Sequence, residues 1–354
     1  MTAALLRNVL RGGFASLSVG APALLLVWIA GLTHASADNL EGNASVIAPL
    51  ANRSLLVDIG SARDAVVTVG ERGHILVEDG KGKWRQSQVP TRTMLTGVHF
   101  QDSLTGWAVG HDAVILRTSD GGKTWEAVYS DPERESPLLD VWFADEHHGF
   151  AVGAYSLFLE TGDGGTSWRA RAFEPVADTG DGGSDANADI DADDFSDVYD
   201  FHLNSLVPGQ DGTLYIAAEG GNLYRSGDGG ATWREMRSPY HGSFFGLLPL
   251  DDGTLLAFGL RGHLYRSGDE GETWKPIETG VKEMLTDGVL LEDGGIVIVG
   301  LGGTVLRSDD GGRRFELTRL PDRHGLSAIV QTDNGRILAV GEGGVVDLTP
   351  AAER

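Results

Sequence analysis

The chain has 354 residues with a formal charge of −23 and ordinary apolar content, including 51 glycines, which fits two average domains or one large all-β domain. It contains no cysteine, which excludes disulfides, thiolate metal sites and a cysteine nucleophile. The strong acidity argues against nucleic acid or anionic lipid as a partner of the surface as a whole.

The first elements concern export. Arg7 and Arg11 precede an apolar run from Phe14 to Leu32 and then Ala35-Ser36-Ala37, small residues at the spacing a signal peptidase needs. Residues 1–37 are therefore expected to be a signal peptide. The alternative is a retained anchor, because roughly 20 apolar residues also span a bilayer. Either way the remainder is expected in the periplasm or another extracytoplasmic space. Residues 38–53 form an N-terminal segment, and 54–350 the main domain.

Along that domain one pattern recurs. It reads Thr118-Ser119-Asp120-Gly121-Gly122-Lys123-Thr124-Trp125 in its fullest form, and its aspartate always precedes an aromatic residue by five positions. The pairs are Asp79 and Trp84, Asp120 and Trp125, Asp163 and Trp168, Asp228 and Trp233, Asp269 and Trp274, and Asp310 and Phe315; the first is degenerate. Successive aspartates lie 41, 43, 65, 41 and 41 residues apart, a period near 41 with one insertion of about 24. Such a period signals propeller blades or solenoid repeats. Short alternating apolar runs precede each copy, as in Gly106–Gly110 and Ala113–Arg117, and none has helical spacing.

Further upstream in each unit lies another run: Leu55–Ile59, Leu95–Phe100, Leu138–Phe143, Val198–Leu203, Phe244–Leu250, Leu285–Leu291 and Leu326–Val330. These are the expected inner strands of seven blades. The second strands end near Gly70, Gly110, Gly153, Ala218, Gly259, Gly300 and Gly341. The predicted fold is thus an all-β, seven-bladed β-propeller of four-stranded antiparallel blades. The seventh unit lacks a turn motif and a fourth strand, so Ala44–Leu50 is expected to supply that strand and close the ring.

The recurring turns have a structural job. The aspartate accepts backbone N–H bonds in a tight hairpin, the glycines take positive φ, and the aromatic packs on a sheet. Arg117, Arg225, Arg266 and Arg307 recur three residues before the aspartate, which predicts packing or pairing within each blade.

These motifs are identified as Asp boxes, or bacterial neuraminidase repeats. With the phrase Val69-Gly70-Glu71-Arg72-Gly73-His74-Ile75 and its kin, residues 54–347 resemble the photosystem II assembly and stability factor family. That resemblance implies an exported seven-bladed propeller without cofactor or metal, which binds newly made reaction-centre protein during assembly. The chain departs from the photosynthetic pattern in its acidic insertion and its negative charge, where the family is noted for an arginine-rich patch. What carries over is a monomeric assembly or accessory factor for a protein client in the cell envelope, such as an extracytoplasmic part of a membrane complex.

In a propeller the inter-blade connections and the turns between second and third strands share one face. The candidate partner-binding face is therefore read from Arg92, Arg134, Tyr240, His241, Phe244, Lys282, Arg323 and His324 in the connections. Glu71, Arg72, His111, Tyr155 and Arg261 join them from the turns. A basic and aromatic cluster in an acidic protein is a focused binding patch. The insertion 174–197, with Asp189, Asp191 and Asp193 among its acids, is expected to be a flexible loop over that face. It lacks the glycine and the terminal glutamate of a calcium loop.

The rival reading is a sialidase-like glycoside hydrolase or a glycan-binding propeller on the same scaffold. That chemistry needs three arginines on a carboxylate, a tyrosine nucleophile and acidic partners; the Arg-Ile-Pro segment that marks such enzymes is absent. No serine elbow, His-Glu-x-x-His or phosphate-loop pattern occurs either, and His147-His148 is adjacent rather than helically spaced. No catalytic residues are assigned.

Overall fold

A computed structural model describes residues 44–62, 65–80, 82–177 and 201–350. The expected signal peptide and the aspartates from Asp178 to Asp197 lie outside the described residues.

Seven antiparallel sheets follow one another in chain order, six with four strands and the last with three. The inner strands are Leu56–Ala62, Leu95–Phe100, Leu138–Phe143, Leu203–Pro208, Phe244–Pro249, Leu285–Leu290 and Leu326–Gln331. Five begin at the residue where the apolar runs place them, and that of blade 1 begins one residue later, at Leu56. In blade 4 the described strand starts at Leu203 and carries Leu206 and Val207 into the sheet, while Val198, where the apolar run begins, lies outside the described residues. Second strands such as Gly106–Gly110, Gly149–Gly153 and Ile296–Gly300 are buried at every position, because each lies inside its own sheet with a blade on either side.

The core is divided into seven seams, one per junction. Val67, Val77, Val98 and Leu116 fill the seam between blades 1 and 2, and Leu256, Phe258, Ile296 and Ile298 that between blades 5 and 6. Leu56, Val66, Leu76, Ala328 and Val340 join blade 7 to blade 1, so the ring is closed by packing. Alternation explains this arrangement. In the third strand of blade 2 (Ile115–Thr118), Ile115 faces blade 3 while Leu116 faces blade 1.

The inner strands are also tied by polar groups absent from the sequence reading. Asp58, Asp140 and Asp287 occupy one equivalent position at the strand bulge in blades 1, 3 and 6. One oxygen of each carboxylate accepts the following N–H, and the other accepts the N–H of Val98, Leu206 or Ile329 in the next blade at 2.7–2.8 Å. Burial pushes Asp140 up to about 7 and Asp287 to about 6. Asp58, half-buried and desolvated at its inner strand and also close to the other two charges, is raised well above its ordinary value.

Closure differs from the expected design. Ala44–Leu50 does not form an outer strand of blade 7. Ser45 donates its N–H to Val89 O at 2.8 Å, and Gln86 of blade 1 holds Ala48 N and Val46 O, so the segment runs along the outer edge of blade 1. Blade 7 remains three-stranded among the described residues, ending at Gly344–Asp347. An ion pair also joins blade 7 to blade 1. Glu78, fully buried, accepts the N–H of Gly82 and pairs with Arg336 of blade 7 at 2.6 Å.

The start of the insertion also departs from expectation. Phe173 packs into the seam between blades 3 and 4, and Val176 exchanges backbone bonds with Trp233 and Glu235 along the outer edge of blade 4.

Candidate partner-binding face

Strand direction fixes two faces. The first inner-strand residue pairs with the last residue of the second strand, as Leu95 does with Gly110, so connections and second turns emerge together. The aspartate turns emerge at the opposite ends of the third strands.

On the aspartate side the turns repeat one geometry. Asp120 Oδ1 accepts the N–H groups of Lys123 and Thr124 and the hydroxyl of Thr118, while Oδ2 accepts the hydroxyl of Thr124 at 2.6 Å. Asp163, Asp228, Asp269 and Asp310 bond likewise to their own turns. The hydroxyl of Thr232 and that of Thr273 hold Asp228 and Asp269 at about 2. Trp125 and Trp233 are buried, and Trp84, Trp168, Trp274 and Phe315 half-buried, against the seams. Asp79 departs: its Oδ1 reaches Lys83 N at 3.3 Å, and Glu78 holds the turn from inside.

The recurrent arginines reach further than expected. Instead of pairing only within a blade, Arg117 donates to Gly164 O and Arg266 to Gly311 O in the next aspartate turn, and Arg225 pairs with Glu270 at 2.5 Å. Arg307 alone stays home, on Asp293 and Asp309.

The other face carries the candidate residues. The second turns share a one-turn 3₁₀ geometry whose middle residue is left-handed: Arg72 (φ 56°), Asp112 (φ 60°) and Arg261 (φ 59°), where blade 4 has Gly220. In blade 3 Tyr155 takes φ 53° at the same place. Positive φ costs a residue with a Cβ roughly 1 kcal/mol. Glycine is accepted there, as Gly220 and Gly302 prove, yet three blades place long side chains that point to solvent; Arg72 is 80% and Tyr155 56% exposed.

Around these tips, His111, His241, Lys282, Arg323 and His324 are exposed. Arg92 is also exposed and donates to Ala44 O at 2.8 Å, which pins the N-terminal segment. Glu71 lies 3.9 Å from Arg72, and Arg134 pairs with Asp131 at 3.5 Å. Two assignments change. Phe244 is wholly buried as the first residue of its strand, and Tyr240 is half-buried against His263 (4.2 Å between rings) and Phe244; both support the face from below. His202 and Glu219 were missed by the sequence reading. Tyr155 stands edge-on to His202 at 5.0 Å, and His202 Nδ1 lies 3.4 Å from Glu219, so blades 3 and 4 build a small aromatic and ionisable cluster at the rim. Among the described residues no group of three side chains is placed to hold a metal ion.

Known proteins share this repeat and this fold. The family model for the photosynthesis system II assembly factor YCF48 matches residues 77–136 and 129–197. The chloroplastic photosystem II stability/assembly factor HCF136 of Cyanidioschyzon merolae is 41% identical over 58 residues, 16% of this chain and 13% of that protein. The photosystem II assembly protein Ycf48 of Thermosynechococcus vestitus is 42% identical over 43 residues, 12% of each chain. The matched segments thus span only a small part of either relative. Among solved structures, YCF48 bound to D1 peptide superposes with a TM-score of 0.64 at 17% identity, covering 86% of this chain and 94% of that one. Streptogramin B lyase, an enzyme by name, gives 0.65 at 14% identity, covering 85% and 94%. At these identities the superpositions speak for the fold alone. The chain is a seven-bladed propeller that resembles the photosystem II assembly factor family, in its repeat over residues 77–197 and in fold over most of its length.

Proposed function

We propose that this protein is a non-catalytic, protein-binding assembly or accessory factor that acts outside the cytoplasm and holds its client against the face bearing the inter-blade connections. The observation that carries the reading is the set of strained, outward tips. Arg72, Tyr155 and Arg261 keep left-handed backbone at positions where glycine costs nothing, which makes sense if their side chains do something in solvent. Long basic and aromatic side chains on rigid turns are the usual anchors of protein interfaces. A YCF48 of the same fold has been solved with a D1 peptide, which supports a polypeptide ligand. The signal-like residues 1–37 support export.

A photo-crosslinking side chain placed at Tyr155 or Arg261 in cells tests this reading. It predicts one dominant membrane-protein adduct from these positions and none from Glu272 on the opposite face. Hydrolysis of a fluorogenic sialoside by the purified protein, with no adduct at either tip, would replace it with the glycosidase reading.

A further inference from the structure

On the aspartate-turn face, arginines tie neighbouring blades together. Arg117 joins blades 2 and 3, Arg171 reaches Gly230 O of blade 4 at 2.7 Å, Arg225 joins blades 4 and 5, and Arg266 joins 5 and 6. Arg336 and Glu78 join blades 7 and 1. Among the described residues the junctions of blades 1 and 2 and of blades 6 and 7 have no such arginine; at the first, Ser87 Oγ donates to Gly122 O at 2.6 Å instead. The residue in register with Arg117 is Val77: Arg117 pairs with Trp107 in its sheet and Val77 with Val67 at the matching place. A cleft of about 550 Å³ opens there, lined by Val77, the blade 1 turn, Leu104 and the turn at Asp120–Gly121. That volume is in the range of ligand sites.

Three carboxylates line the cleft, and each is already engaged: Asp120 within its own turn, Asp79 with Lys83 N at 3.3 Å, and Glu78 with Gly82 and Arg336. Lys83, Arg85 and Lys123 are exposed, and no ion pair is formed by any of them among the described residues. Leu104 is 54% exposed, and its loop is braced by Asp102, whose Oδ1 accepts Leu104 N at 2.6 Å and Thr105 N at 2.8 Å. The cleft therefore offers hydrogen-bond donors, positive charge and an apolar patch, but few of the free acceptors that sugar hydroxyls need. In a chain of net charge −23, Lys83, Arg85 and Lys123 place three cations at one cavity, where Glu78 is already paired with Arg336.

We propose that this cleft is a second binding site, which takes an acidic peptide segment of a partner protein: one apolar side chain enters over Val77 beside Leu104, and flanking carboxylates meet Lys83, Arg85 and Lys123. It lies on the face opposite the proposed client surface and stands independently of that reading. The basic rim would speed encounter and give salt-dependent binding.

The test uses the purified full chain and a fluorescein-labelled peptide, Asp-Glu-Leu-Asp-Glu, read by fluorescence polarisation at low and moderate salt. Saturable binding is expected, weakened by salt, with none for Lys-Lys-Leu-Lys-Lys and weaker binding when the peptide leucine is glycine. Lys83→Glu with Lys123→Glu is expected to weaken it about tenfold, the scale of two reversed exposed pairs. Leu104→Asp should act similarly, and Val77→Arg should fill the cleft and abolish binding. If Val77→Arg does not fold, the surface variants carry the result. Tyr155→Ala and Arg261→Glu are expected to leave it unchanged. Absence of saturable binding, equal affinity in the Lys83→Glu/Lys123→Glu and Leu104→Asp variants, or preference for an oligogalacturonate probe over the peptide would overturn the proposal.

Discussion

Arg336→Ala is the most informative perturbation of the fold, because it attacks a buried ion pair that joins the last blade to the first. Glu78 has no exposure, and its carboxylate is held by Gly82 N at 2.5 Å and by Arg336 at 2.6 Å, from a residue 258 positions away. The hydrogen bond that Arg336 donates to Glu78 raises the arginine's own affinity for its proton. Removing one partner of a buried pair leaves an uncompensated charge, worth about 3–5 kcal/mol; Arg336 is a quarter exposed, so the lower end, about 3 kcal/mol, applies. Unfolding entropy of about 2.1 cal/mol/K per residue gives roughly 0.6 kcal/mol/K for a ring of about 300 residues, so the midpoint should fall by about 5 °C. Urea unfolding and calorimetry measure both quantities. Glu78→Gln in the Arg336→Ala background removes the stranded charge while keeping an acceptor for Gly82, and should recover most of the loss. A loss below about 0.5 kcal/mol for Arg336→Ala, or no recovery in the double variant, would refute the argument that this pair latches the ring.

Three further outcomes are expected. The folded-state pKa values of Asp140 (about 7) and Asp287 (about 6) lie above the unfolded value of 3.8, so their contribution is fully present below pH 3.8 and is lost as pH rises through 6 to 7. Urea denaturation should therefore give higher stability at pH 5 than at pH 8, by an amount on the order of a few kcal/mol, and Asp140→Asn should flatten that difference. Asp228→Ala removes the acceptor of Thr232 N and of two hydroxyls in one turn and should cost about 1–2 kcal/mol in denaturant melts without unfolding the ring. Arg261→Gly relieves a left-handed residue and should raise stability by up to about 1 kcal/mol, while weakening client capture in crosslinking yield.

The sequence displays whatever repeats. Six aspartate turns at a period near 41 and seven second strands, six of them ending in glycine, are legible because each blade must satisfy the same hairpin and the same buried strand. What breaks the repeat is hidden for the same reason. Ala44–Leu50 has the alternation of a strand, but alternation does not name a partner, and Gln86 claims its backbone for blade 1. Val77 in place of an arginine and Glu78 in place of Thr118 look like decay in an alignment; only the ring shows that one leaves a cleft and the other meets Arg336. Asp58, Asp140 and Asp287 recur in three blades only, inside apolar runs, so no period marks them. On the candidate face, turn position correctly exposed Arg72, Tyr155 and Arg261. It failed for Phe244, whose place at a strand start buries it, and for His202, which becomes a neighbour of Tyr155 only when blade 3 meets blade 4.

The proposed role rests on the tips of the second turns, and one comparison tests it most directly. A variant carrying Arg72→Glu, Tyr155→Ala and Arg261→Glu is compared with the unaltered protein for co-purification of its client from detergent-solubilised envelopes, after both are shown to melt alike. Loss of the client from the triple variant, with full retention in a Glu272→Ala control on the other face, is the predicted result. Undiminished co-purification in the triple variant would contradict the account.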